Sequence, residues 1–134
     1  MATMNKPCFA AIKELSPVKP TLIFVASRRQ TRLTAFDIIS YAASEERPKM
    51  FLGCGDTYAE AIAEKIHDEA LRHTITFGIG LHHAGLSSYD RDVVERMYLD
   101  GDIKVLVATA TLAWGVNLPA HLVIVKGTYT TIQA

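Results

Sequence analysis

Four short runs built almost wholly from aliphatic, aromatic and β-branched residues punctuate this chain: Thr21 to Ala26 (TLIFVA), Phe77 to Leu81 (FGIGL), Ile103 to Ala108 (IKVLVA) and His121 to Lys126 (HLVIVK). Runs of this length with no polar alternation predict strands buried on both faces, and strands of that kind belong to parallel sheets covered by helices. The segments between them carry apolar residues at helical spacing, so the whole reads as an α/β fold around one mostly parallel sheet. Sheets of this type place their ligand sites in the loops beyond the carboxyl ends of the strands. Three such loops stand out, at Ser27 to Arg29, His82 to Gly85 and Thr109 to Asn117.

The intervening helices carry their own start and stop signals. Ser27 followed by Gln30 is a capping box, and Leu33, Phe36, Ile39 and Ala43 are the expected inward face of the helix it opens. Glu45 to Asp56, with Pro48, Gly53 and Gly55, is expected to be a surface connection. A single second helix is expected to follow, with Ala59, Ile62, Ala63, Ile66 and Ala70 on one face and the i,i+4 pairs Lys65/Glu69 and Asp68/Arg72 on the other. Ser87 with Asp90 is a further box, opening a helix through Val93, Val94, Met97 and Tyr98 that stops near Gly101. Before the first strand, Met4 to Leu15 reads as a short docked helix, with Pro17 and Pro20 bracketing a linker.

Composition narrows the function classes. A chain of 134 residues, 49% hydrophobic, fits one domain spanning 1–134, and none of its apolar runs is long enough to cross a bilayer, so no membrane role is expected. Fourteen basic and fourteen acidic residues cancel. Any contact with nucleic-acid phosphates must therefore be local rather than the work of a broad basic field. Cys8 and Cys54 stand far from any metal-ligand spacing and read as ordinary reduced thiols, and no metal site is expected.

Each carboxyl-end loop has a chemical and a plain reading. Ser27, Arg28 and Arg29 open a helix, where free N–H groups and guanidinium forks suit a phosphate; equally, Ser27 is a cap and the arginines a solvated face. His82 and His83 point to opposite sides of an extended segment, which disfavours a shared metal. They read either as one core and one exposed histidine or, with Gly85, as a place where a strand backbone approaches closely. Thr109, Thr111, Gly115 and Asn117 form a polar loop suited to phosphate oxygens, with Trp114 as a packing anchor more readily than a base-stacking platform. The DEAL at Asp68 to Leu71 imitates an acidic magnesium box, but the residues before it follow helical rather than strand spacing, and it is rejected as catalytic. Nothing in the 134 residues matches GxxxxGK[ST], so they are not expected to cradle ATP in the P-loop manner.

Taken together, LIFVASRRQ (Leu22 to Gln30) resembles helicase motif IV, GIGLHHAGL (Gly78 to Leu86) the HHAGL signature, and VLVATATLAWGVNLPA (Val105 to Ala120) motif V of the Ski-like, Sec63-domain superfamily 2 helicases. The resemblance runs from about Met4 to Thr128, and its nearest branches are the large spliceosomal and the coactivator-associated helicases. It implies the second RecA-like lobe of an ATP-dependent 3′-to-5′ helicase. Ser27, Arg28, His83, Gly85 and Thr109 would then contact a single strand of RNA or DNA, and Gly115 and Asn117 would face the nucleotide. The parent enzyme would use ATP and Mg2+, pair this lobe with its first RecA-like lobe, have a nuclear address and join a ribonucleoprotein or coactivator complex. The family continues after Lys126, Gly127 and Thr128 to a QxxGRAGRP motif, whereas this sequence ends at Ala134, so the resemblance implies an incomplete lobe that is inactive alone. Two other readings remain: a non-catalytic RecA-like scaffold holding a protein partner, and a flavodoxin-like domain, against which the arginines after Ser27 argue.

Overall fold

The central strand of the sheet, β1 (Thr21–Val25), pairs in parallel with β3 (Val105–Thr109) on one side and with β4 (Leu122–Val125) on the other. β2 (Ile79–His82) extends the sheet beyond β3, again in parallel, and β5 (Thr130–Gln133) pairs antiparallel with β4, giving the order β2-β3-β1-β4-β5. The structure, a computed structural model, describes residues 20–109 and the backbone of 122–125 and 130–133. The expected amino-terminal helix and the loop carrying Thr111, Trp114, Gly115 and Asn117 lie outside the described residues. The α/β, mostly parallel architecture expected from the apolar runs is the one observed.

Helices cover the sheet in the order α1 (Arg28–Ser44), α2 (Asp56–Ala63), α3 (Glu69–Ile75) and α4 (Ser88–Asp100). Gly80 shows how closely α4 approaches: a methyl group there would lie 3.1 Å from Val94 Cγ1 of α4 and 2.7 Å from Ile103 Cδ1. Because side chains alternate along a strand, Gly80 and His82 face α4, while Ile79, Leu81 and His83 point to the other side, toward α1. Ile23, Ile79, Leu81, Val105, Val107, Val94 and Ile38 are essentially inaccessible to solvent and form the core on the two faces. No helix among the described residues is long and apolar enough to cross a membrane.

Four sequence expectations change here. α1 buries Thr31, Thr34, Ala35, Ile38 and Ala42, whereas Leu33 and Phe36 are 47% and 37% exposed and Ala43 is exposed. Small side chains on the inward stripe let the helix backbone approach the sheet, and the Thr31 hydroxyl donates to the Arg28 carbonyl, so its burial costs no hydrogen bond. The connection 45–55 is not all surface. Phe51 is fully buried, Leu52 bridges Ile103, and the Phe51 carbonyl accepts from the Lys104 N–H at 3.0 Å, which clasps the amino end of the sheet.

The single helix expected over 59–70 is two helices. Asp68 caps α3 by accepting from the Leu71 N–H at 2.9 Å, and Arg72 donates through Nε and Nη2 to the Ile66 carbonyl at 3.2 and 2.9 Å. The i,i+4 pairs expected across this stretch therefore give way to caps at the break. The fourth change concerns Asp90. The Ser87 hydroxyl accepts from the Asp90 N–H at 3.1 Å as expected, but the Asp90 carboxylate turns inward, to the break between α2 and α3.

Candidate nucleic-acid interface

The carboxyl ends of β2, β3 and β1 finish in one row, with His82 beside Ala108 and Ala108 beside Phe24. One step on, Thr109 lies opposite Val25 at the mouth of the loop outside the described residues. β1 passes through Ala26 to Ser27, whose extended backbone (φ −146°, ψ 164°) and side chain, accepting from the Gln30 N–H at 3.4 Å, start α1 at once. This abrupt strand-to-helix turn puts Arg28 in the first turn, beside the other two ends.

Arg28 and Gly85 meet across that edge. A methyl group on Gly85 would collide with Arg28 Nη1 and sit 3.0 Å from its Cδ and 3.1 Å from His83 Nδ1. The space glycine leaves empty is thus used by the arginine side chain, joining the loop after β1 to the loop after β2 even though β3 runs between them. His83 Nδ1 accepts from the Gly85 N–H at 3.1 Å, which in the neutral ring leaves the proton on Nε2. Burial pulls the His83 imidazole below the ordinary histidine value; Asp68 opposes this, while Arg28, His82 and Arg32 add to it. Arg28, Arg29 and Arg32 are all exposed, so the edge is locally cationic on a chain of zero net charge.

Both histidines are buried, at 7% for His82 and 8% for His83, which sets aside the alternative of one core and one exposed histidine. Their side chains do part to opposite faces: His82 Nε2 lies 2.6 Å from Glu95 Oε2 on α4, and His83 stands near Arg28. Among the described residues no group of three or more His, Cys, Asp or Glu side chains is arranged to hold a metal ion. The rejected DEAL lies at the cap of α3, in a helix start rather than directly after a strand.

Of the residues singled out from sequence, Ser27, Arg28, His83 and Gly85 stand together, and Thr109 ends the strand between them. Thr109 is half-buried. Gly115 and Asn117 lie outside the described residues. Sequence reasoning gave Asp90 only as the box partner of Ser87, not as the acceptor for the His67 and Asp68 N–H groups, and it missed Glu95. For Asp90 a signal existed, since it falls four residues before Val94 on the inward stripe of α4, where an acid must find buried partners.

A hollow of about 870 Å³ opens between α1, α2 and α3, lined among others by Arg32, Phe36, Glu64 and His73. It lies beside the strand-end loops rather than at them. Among the described residues, Ser27, Arg28, Ala84 and Gly85 are exposed along the candidate interface, as contact with an extended polymer requires.

A mostly parallel sheet flanked by helices, with a cationic edge where β1, β3 and β2 end, fits a RecA-like helicase C-terminal domain. The chain belongs to the helicase conserved C-terminal domain family, whose model matches residues 8–132. It is 59% identical over 128 residues to the DExH-box ATP-dependent RNA helicase DExH14 of Arabidopsis thaliana and 56% identical over 128 residues to the activating signal cointegrator 1 complex subunit 3 of Homo sapiens. It is also 54% identical over 129 residues to the RQC trigger complex helicase SLH1 of Saccharomyces cerevisiae. Each similarity covers 96% of this chain, but the chain spans only 6% of the first two relatives and 7% of the third. The superfamily 2 helicase resemblance read from the three motifs holds.

Proposed function

We propose that this chain is the second RecA-like lobe of an ATP-dependent 3′-to-5′ RNA helicase, spanning 1–134 and contributing strand contacts to a motor completed by the first RecA-like lobe of the same parent. The observation that carries the reading is the Arg28 side chain lying against Gly85 beside His83, because it makes one cationic edge out of the strand-end loops of β1 and β2. Ser27, Arg28, His83, Gly85 and Thr109 grip the sugar-phosphate backbone, through guanidinium and imidazole N–H donors, hydroxyls and close approach at the glycine. The choice of RNA over DNA leans on DExH14, whose name describes an RNA helicase.

Gly115 and Asn117 face the nucleotide in this reading. ATP supplies the free energy for strand movement, and Mg2+ accompanies its phosphates, held by parts of the parent that carry the P-loop and acidic box. A Sec63 domain in the parent, a nuclear address and membership of a ribonucleoprotein or coactivator complex belong to the same reading and rest on resemblance.

The test uses the full-length protein with Arg28→Ala, His83→Ala or Thr109→Ala. Binding of a fluorescent single-stranded RNA and of the matching DNA is followed by anisotropy, alongside strand-stimulated ATP hydrolysis. Each variant should weaken RNA binding by about five- to ten-fold, the scale of one lost contact. Arg28→Ala should also flatten the dependence of affinity on salt by about one phosphate contact. Unchanged affinity in all three variants would overturn the reading in favour of a scaffold cassette.

A further inference from the structure

We propose that Glu95 is a positioning residue that acts through His82 to hold the loop 83–86 in the geometry that grips the strand; the inference rests on the strand-contact reading above. Glu95 sits on α4, thirteen residues after His82, and its Oε2 lies 2.6 Å from His82 Nε2. The imidazole is 9% exposed and the carboxylate 25%, so this bond is mostly withdrawn from water.

β2 needs such an anchor. It is the first strand in the order, paired on one side by β3 alone, and its last ladder position is His82 opposite Ala108. Among the described residues the pairing with β3 runs no further than this, yet His83 and Gly85 must meet Arg28. The alternation of side chains supplies the link: holding the His82 ring on the α4 face turns His83 to the opposite face, where Arg28 lies.

The rest of the loop is braced from the same helix. Arg91 Nη1 donates to the Ala84 carbonyl at 3.3 Å. Ser87 caps α4, and His67 Nδ1 lies 3.2 Å from its hydroxyl. The segment 83–86 is thus suspended between two anchored ends, His82 and Ser87. An apolar pair in place of His82 and Glu95 would fill the same space, and a buried hydrogen-bonded pair often adds little stability over such a replacement. What the pair adds is direction. Glu95 lies on the side of β2 away from Arg28, so its charge does not occupy the edge where phosphates would sit.

The experiment measures strand-stimulated ATP hydrolysis by the full-length protein as RNA concentration is varied. Glu95→Ala should raise the RNA concentration for half-maximal stimulation by about five- to ten-fold, while kcat at saturating RNA and KM for ATP stay within about two-fold. Glu95→Gln, which can still bond His82, should stay within about two-fold of the parent in all three quantities. Unchanged half-saturation in Glu95→Ala would overturn the proposal. So would a loss of kcat in step with a lowered Tm, which marks a mere structural prop, or a failure of Glu95→Gln to restore the parent value. Arg28→Ala and His83→Ala are run in parallel. If they weaken RNA binding and Glu95→Ala does not, this inference alone fails; if they too are silent, the strand-contact reading itself fails.

Discussion

The Asp90 carboxylate, 1% exposed at the start of α4, accepts hydrogen bonds from the backbone N–H of Asp68 at 2.9 Å and of His67 at 3.0 and 3.2 Å. It closes the break between α2 and α3 from more than twenty residues away. Asp90→Ala would leave two part-buried N–H groups without their acceptor and should lower unfolding free energy by about 2–3 kcal/mol; Asp90→Asn, which keeps one acceptor oxygen, should lose less. Urea denaturation of the two variants checks this. A loss below about 0.5 kcal/mol for the alanine would show that water replaces the clasp.

Gly85 and Gly78 should respond oppositely to alanine. At Gly85 the new methyl meets the far end of the flexible Arg28 side chain, so the fold should survive, with a stability change of under about 1 kcal/mol, while RNA affinity falls as it does in Arg28→Ala. At Gly78 the backbone is left-handed (φ +86°) and the methyl would strike the Phe51 backbone. Gly78→Ala should cost more than about 2 kcal/mol. Thermal melts and RNA titrations of both variants separate the two effects.

Glu46 ends α1 in the left-handed region (φ 61°), with its N–H on the Ala43 carbonyl and that of Arg47 on the Ala42 carbonyl. This is a Schellman closure in which glycine is the favoured residue. Glu46→Gly should therefore stabilise the fold by about 1 kcal/mol, less some added freedom in the unfolded chain. A lower denaturation midpoint would show that the Glu46 side chain contributes more than its strain.

His83 makes stability depend on pH. Its folded pKa is depressed, chiefly by burial, below the unfolded value near 6.5, so in that range the unfolded chain binds the proton more readily. Its contribution is fully present above the unfolded value and is lost as pH falls toward the folded one. Between about pH 8 and pH 5 the parent should thus lose more stability than His83→Gln. Parallel slopes for the two proteins would contradict the assignment, as would an NMR titration placing the His83 midpoint at or above the ordinary value.

The candidate edge was legible in outline because its residues follow directly on strands. An apolar run ending in Ser27, or in His82 and His83, announces a strand end, and parallel strands bring their ends to one side. The Arg28 contact with Gly85 was not legible. It depends on β2 and β1 flanking β3, and the order of strands is set by which helices cover which face. Nor was the His82 bond to Glu95, because the two stand thirteen positions apart and the loop and helix between them carry no local signal of that pairing.

The chain by itself determined what short-range sterics and hydrogen bonding decide: the apolar strands, the caps at Ser27 and Ser87, and the stop at Gly101, left-handed at φ 81°. Only the tertiary structure decided which stripe of α1 turns inward, where the helix over 56–75 breaks, that Phe51 enters the core, and that both histidines are buried. Those outcomes are choices among locally similar states. Leu33 and Phe36 satisfy helical spacing as well as Thr34 and Ile38 do, and close packing against a particular sheet selects the smaller stripe. The break at 64–68 is likewise closed by the Asp90 carboxylate, a partner that exists only after the chain has folded back on itself.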